Sequence, residues 1–163
     1  MLTGRKDLQF CQDNVKGYHD ALDDAGIVYD EILVVSCDYS PRDGFSAIQG
    51  LIENDINFDG VFAANDPMAI GAIKALKQAG KRIPEDVSVI GFDNSFVGTL
   101  IEPSLSTVNV PLGDLGYNAA EMLLKCILQE GRPGKYVLDC ELVIRNSSDP
   151  GKRIEWDLEN WFG

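Results

Sequence analysis

The thirteen residues from Gly60 to Ala72, Gly-Val-Phe-Ala-Ala-Asn-Asp-Pro-Met-Ala-Ile-Gly-Ala, constrain the fold most, because they hold a buried strand, a polar turn and a helix start. Val61 to Ala64 is a short apolar run of the kind that fits a strand covered on both faces. Asp66 stands at the N-cap position, and Pro67 takes the first helical position, where a missing N–H costs nothing. Asn65 is thereby pinned at the carboxyl end of a strand beside free helix N–H groups, which is where open α/β sheets bind ligands. Local chemistry alone leaves a second reading open, in which Asn65 only helps the turn.

The same unit recurs along the chain. Cys11, Val15, Tyr18, Leu22 and Ala25 fall at helical spacing within about residues 7–25, and Gly26 ends that helix. Ile32 to Val35 reads as a buried strand that delivers Cys37, Asp38 and Tyr39 to its end. Ser40-Pro41-Arg42-Asp43 follows as N-cap, first helical residue and capping-box-like acid, with Phe45, Ile48, Leu51 and Ile52 facing inward. The helix after Asn65 runs to Gln78 or Ala79 and stops at Gly80. Val87 to Phe92 is a further strand, presenting Asp93, Asn94 and Ser95. Leu105 to Val108 is a short strand, and Pro111 opens a long helix that carries Leu112, Leu115, Leu123 and Ile127. Tyr136 to Arg145 alternates strictly and suits a half-covered edge strand. Residues 148–163, with two tryptophans, stay unassigned.

Strands alternating with helices predict an α/β fold with a doubly wound parallel sheet and flanking helices, its strand ends gathered on one side as the ligand edge. A length of 163 residues suits one domain. The net charge of −12 argues against contact with a nucleic-acid backbone, which needs a basic patch. No apolar run approaches a membrane span and the amino terminus lacks a signal-peptide core, so the expected location is the cytoplasm.

Cys11, Cys37, Cys126 and Cys140 are scattered singly, with His19 the one imidazole, so no metal site is expected. No dinucleotide fingerprint, P-loop or nucleophile elbow occurs, and no two carboxylates are paired by spacing. The expectation is a protein with no cofactor and no catalytic residue, not an enzyme.

Val61 to Ala72, Ile83 to Asn94 and Leu105 to Val108, taken with Gly17-Tyr18, Asp38-Tyr39 and Val143-Ile144-Arg145, resemble the effector-binding domain of the LacI/GalR transcription regulators. The resemblance covers roughly residues 1–147. It implies a periplasmic-binding-protein-like type I fold, of which this chain holds mostly the second subdomain. The helix 111–131 would belong to a first subdomain, and its apolar face is expected to pack elsewhere on its own chain or on a second copy. By position, Asn65 and Asp93 would hydrogen-bond a small polar effector, a sugar or nucleobase, and Tyr39 would wall it. Asn14 stands where the family usually carries an effector-binding arginine, which leaves the effector class open because an amide lacks the guanidinium's charged fork. Asn146 replaces a commoner acid. Dimer contacts would fall on Met68, Ile70 and Ile101, of which a bland reading places Met68 and Ile70 in the core. The resemblance further implies allostery, a homodimer, and operator DNA held by a headpiece that this sequence does not include. The alternatives are a sensory module of a signalling protein and a sugar-handling enzyme with Asp93 as base.

Overall fold

The computed structural model describes residues 1–128 and 134–151. Strands β1 (Leu2–Thr3) and β2 (Val35–Ser36) pair in parallel. Strands β3 (Gly60–Phe62), β4 (Ser88–Phe92) and β5 (Ser106–Asn109) form a second parallel set, closed by the antiparallel strand β6 (Glu141–Val143). A bridge between Leu2 and Ala63, with the Ala64 N–H donating to the Leu2 carbonyl at 2.9 Å, joins the two sets. The resulting order is β2-β1-β3-β4-β5-β6, so the winding reverses between β1 and β3. In open sheets that reversal leaves a crevice at the carboxyl ends of the strands.

The helices are α1 (Gln9–Asp24), α2 (Pro41–Glu53), α3 (Asp66–Gln78), the short α4 (Val97–Leu100) and α5 (Leu112–Ile127). Leu2, Ile48, Val61, Met68, Leu76, Val89 and Leu105 make the core that α2 and α3 close against the sheet. The two helices cross at glycines: a Cβ at Gly71 would stand 1.9 Å from the Pro41 carbonyl oxygen, and one at Gly44 would stand 2.2 Å from that of Met68. Only hydrogen fits at these two positions.

Several expectations are corrected by the structure. Asn65, not Asp66, caps α3, because the Asn65 Oδ1 accepts from the Met68 N–H at 2.9 Å. Asp66 is left free for a role deeper in the fold. Ile32 to Val35 is not a strand throughout, since the Asp30 carboxylate accepts from the Ile32 N–H and caps a 3-10 turn over Glu31–Leu33. The alternating run 136–145 pairs with β5 only at Glu141–Val143. Beyond it, the Ser106 hydroxyl takes up both the N–H and the carbonyl of Arg145, at 2.7 and 2.9 Å, and ends the regular ladder.

Helix α5 buries none of its residues, and Leu112, Leu123, Leu124 and Ile127 are all exposed. Of the two places expected for this stripe, its own chain or a second copy, the first is not seen among the described residues. The last positions of the helix expected over 111–131, and the tail beyond Gly151 with Trp156 and Trp161, lie outside the described residues.

Candidate functional site

The carboxyl edge of the sheet is built around Tyr39, which follows β2 with a left-handed φ of 59°. Its ring lies over Gly4, where a Cβ would stand 1.9 Å from the phenolic oxygen, so the glycine is what lets the ring lie across the end of β1. Phe10, in the first turn of α1, stacks on the Tyr39 ring with centroids 6.2 Å apart and planes 27° from parallel. The Tyr39 hydroxyl and the Cys11 Sγ are 2.9 Å apart. Burial first, and then this contact, push the phenol above its usual range.

Asn65 ties this aromatic corner to α3. While its Oδ1 caps the helix, its Nδ2 donates to the Tyr39 carbonyl at 3.0 Å. One amide thus fixes both the start of α3 and the backbone of Tyr39.

Asp93 stands at the end of the neighbouring strand. Phe62 and Ile90 are in register, so Asn65 and Asp93, each three residues further on, reach similar heights on the edge. Two successive left-handed residues, Asp93 with φ 103° and Asn94 with φ 54°, turn the chain there. That conformation is costly outside glycine and persists only where surrounding bonds hold it. The Asp93 N–H donates to Val108 at 3.0 Å and the Asn94 N–H to the Thr107 hydroxyl at 3.2 Å. Arg145 donates through Nη2 to the Asn94 Oδ1 and through Nη1 to the Leu105 carbonyl, both at 2.7 Å.

Behind the turn lies the fully buried Asp66, whose Oδ1 accepts from the Thr107 hydroxyl at 2.6 Å and whose Oδ2 accepts from the Ser95 N–H at 2.5 Å. Charge-assisted bonds of this length are strong ones. Partial burial chiefly, and the nearby Asp66 charge, raise the Asp93 carboxyl above its ordinary value. The edge therefore carries, at Asp93, a strained and firmly held backbone turn whose carboxyl is raised above its ordinary value.

Of the residues expected at an effector site, Tyr39 and Asn65 touch, Asp93 joins them along the edge, and Asn14 is half-buried one turn after Phe10 on α1. Phe10 is the residue that sequence reasoning missed. It stands one position off the apolar stripe led by Cys11, and its spacing of four from Asn14 was the available signal. The network of Asp66, Thr107, Ser95 and Arg145 had no signal, because its members lie up to 79 residues apart in the chain.

Met68 is fully buried and offers no surface to a partner. Ile70 and Ile101 are half-buried and line a shallow depression of about 340 Å³ together with Ile73, Lys74 and Lys77.

An open parallel sheet with aromatic and polar groups collected at its winding reversal defines a small-molecule binding fold. The chain belongs to the periplasmic binding protein-like domain family, which it matches over residues 8–148. The transcriptional regulator CelR of Thermobifida fusca, a helix-turn-helix type, is 36% identical over 147 residues, 90% of this chain and 43% of that protein. The ribose operon repressor of Halalkalibacterium halodurans is 32% identical over 157 residues, 94% of this chain and 46% of that protein.

Among solved structures, a CelR–cellobiose complex superposes with a TM-score of 0.85 at 36% identity, covering 90% of this chain and 45% of that one. A sugar-binding regulator of the LacI family from Escherichia coli gives 0.77 at 32% identity, covering 90% and 52%. The LacI-type resemblance and the periplasmic-binding-protein-like fold expected from the sequence both stand. The chain spans less than half the length of these two curated relatives. No helix among the described residues is long and apolar enough to cross a membrane.

Proposed function

We propose that this chain is the ligand-sensing part of a LacI/GalR-like transcription regulator and that its effector is a small polar molecule carrying a ring, of the sugar class. The observation that carries this reading is the Phe10–Tyr39 aromatic pair tied to Asn65, with Asp93 further along the same sheet edge. A pyranose presents an apolar ring face that suits an aromatic wall, and hydroxyls that suit a carboxylate and an amide. The complex of CelR with cellobiose supports the same ligand class.

Asn14, on the face of α1 that carries Phe10, would add an amide to the site. Because that amide is neutral, it favours an uncharged sugar over a sugar phosphate, whose recognition calls for a guanidinium. Binding alters a remote activity only if the effector has different affinity for two arrangements of the whole protein, so it would act by closing the cleft and biasing a hinge. Operator DNA would be held by a headpiece, not by this acidic chain. The protein would work in the cytoplasm as a homodimer, with Ile70 and Ile101 in the contact. It is a sensor and not an enzyme, as the names of its relatives support.

A thermal-shift screen of sugars, sugar phosphates and purines on the full-length gene product tests this. A neutral sugar should raise the Tm, and Asp93→Ala and Phe10→Ala should each abolish the shift. A shift with purines alone, or one that survives both substitutions, would overturn the reading.

A further inference from the structure

Asp93 is placed on the sheet edge by its turn and not by its own side chain. Its carboxylate makes no hydrogen bond among the described residues. The residue after it is held far more closely. Asn94 is bonded through its N–H and through both ends of its side-chain amide. Whatever moves Asn94 therefore moves the carboxylate that precedes it.

The two ends of that amide reach the two chain segments on either side of α5. The Asn94 Nδ2 donates at 3.1 Å to the Oδ1 of Asn109, the last residue of β5, three positions before α5 begins. The Asn94 Oδ1 accepts at 2.7 Å from Arg145, two positions beyond β6, on the strand that returns from α5. Asn109 and Glu141 are in register, so the outgoing and returning segments run side by side at this point.

Arg145 is built to hold a position. Its main chain is fixed on both sides by the buried Ser106 hydroxyl, which accepts from its N–H and donates to its carbonyl. From that fixed point one arm of the guanidinium donates to the Leu105 carbonyl, just ahead of β5, and the other to Asn94. A planar fork with donors in set directions defines the distance between two acceptors, which a lysine's point charge would not do. Both acceptors are neutral, and Arg145 forms no ion pair with a carboxylate among the described residues. A half-buried cation bonded in this way gives up hydration for geometry.

We propose that Arg145 is a positioning residue for effector recognition: through Asn94 it fixes the turn that presents Asp93, and it does so from the strand that returns from α5. The inference rests on the reading of Asp93 as an effector group.

The test is calorimetric titration of the full-length gene product with cellobiose and with ribose, on the parent and four variants. Arg145→Met keeps an unbranched stem and loses both donors. Asn94→Gly accepts the left-handed backbone and removes the amide that Arg145 holds. Each should weaken sugar binding by roughly ten- to hundredfold, the effect of losing a charge-assisted hydrogen bond. The double variant should bind no more weakly than the poorer single one, because the two residues act through one contact. Ser104→Ala removes a 3.0 Å bond to Asn146 on the same returning segment without touching the turn. It should lower the Tm and leave the Kd within about twofold of the parent. An Arg145→Met protein that binds as the parent does would overturn the proposal. So would an equal loss of affinity in Ser104→Ala, which would reduce Arg145 to a stabilising part, or losses that multiply in the double variant. A parent that gives no heat with either sugar would instead remove the reading on which the proposal stands, and the proposal with it.

Discussion

Asn65 uses both ends of its amide inside the fold, and this separates its structural part from its part in binding. Asn65→Asp keeps an oxygen for the Met68 N–H but loses the donor to Tyr39, whereas Asn65→Ala loses both. Chemical unfolding should show Asn65→Ala less stable by about 1–2 kcal/mol and Asn65→Asp by less than half of that. Equal losses would mean that the cap contributes nothing.

Asp93 carries a prediction of opposite sign. Its carboxyl holds a proton more readily in the folded chain than in the unfolded one, where the ordinary value is 3.8. Between that value and the raised one the folded state binds more protons, so stability falls as pH rises through the window. Asp93→Asn should lose this pH dependence and be at least as stable as the parent at neutral pH, while losing effector. A destabilised Asp93→Asn chain at neutral pH would count against a strained site carboxyl.

The sequence placed Asn65, Tyr39 and Asp93 correctly at strand ends, because an apolar run followed by a polar residue and a helix start is a local signal. It made Asp66 the cap, since two good capping residues stood side by side. The deciding contact, with Thr107, lies 41 residues away.

Among the elements, α2 and α3 depend on two glycines that have no role as turns. Gly71→Ala would push a methyl group against the Pro41 carbonyl, which can move only with its helix. Overpacking of this kind costs about 1–3 kcal/mol, and circular-dichroism melts should show it. Gly50 in α2 has nothing within 4 Å, so Gly50→Ala should gain roughly 0.5–1 kcal/mol from helix propensity and raise the Tm. The same sign for both substitutions would show that the α2–α3 crossing is looser than described.

Helices α1, α2 and α3 were legible in the sequence to within about two residues, because their periodic stripes and caps are local, whereas the four-residue α4, with neither stripe nor side-chain cap, was not. Strands at the margins were less so. The Ile32–Val35 run looks like a strand, but the Asp30 side chain bends it into a turn, and β6 is limited by what β5 offers as partner.

At the scale of the whole molecule, α5 holds out an apolar stripe that the described residues leave open. An exposed face of this size usually finds a partner, and for this chain in isolation the partner available is a second copy. Sedimentation velocity should show concentration-dependent association that Leu123→Glu with Ile127→Glu removes. A parent chain that stays monomeric to about 100 µM would contradict that role for the stripe.

The sequence could indicate that the helix is amphipathic, since that is a matter of spacing. It could not show whether the stripe is covered, since that depends on what stands opposite in space.

The most direct measurement of the central claim, that the edge formed by Phe10, Tyr39, Asn65 and Asp93 binds a neutral sugar, is calorimetric titration of the full-length gene product. The panel should include cellobiose and ribose, run against the parent and Asp93→Asn proteins. The prediction is saturable heat from at least one neutral sugar with the parent and none with Asp93→Asn. Binding of the same sugar with equal affinity by both proteins, or heat only from compounds lacking a sugar ring, would contradict it.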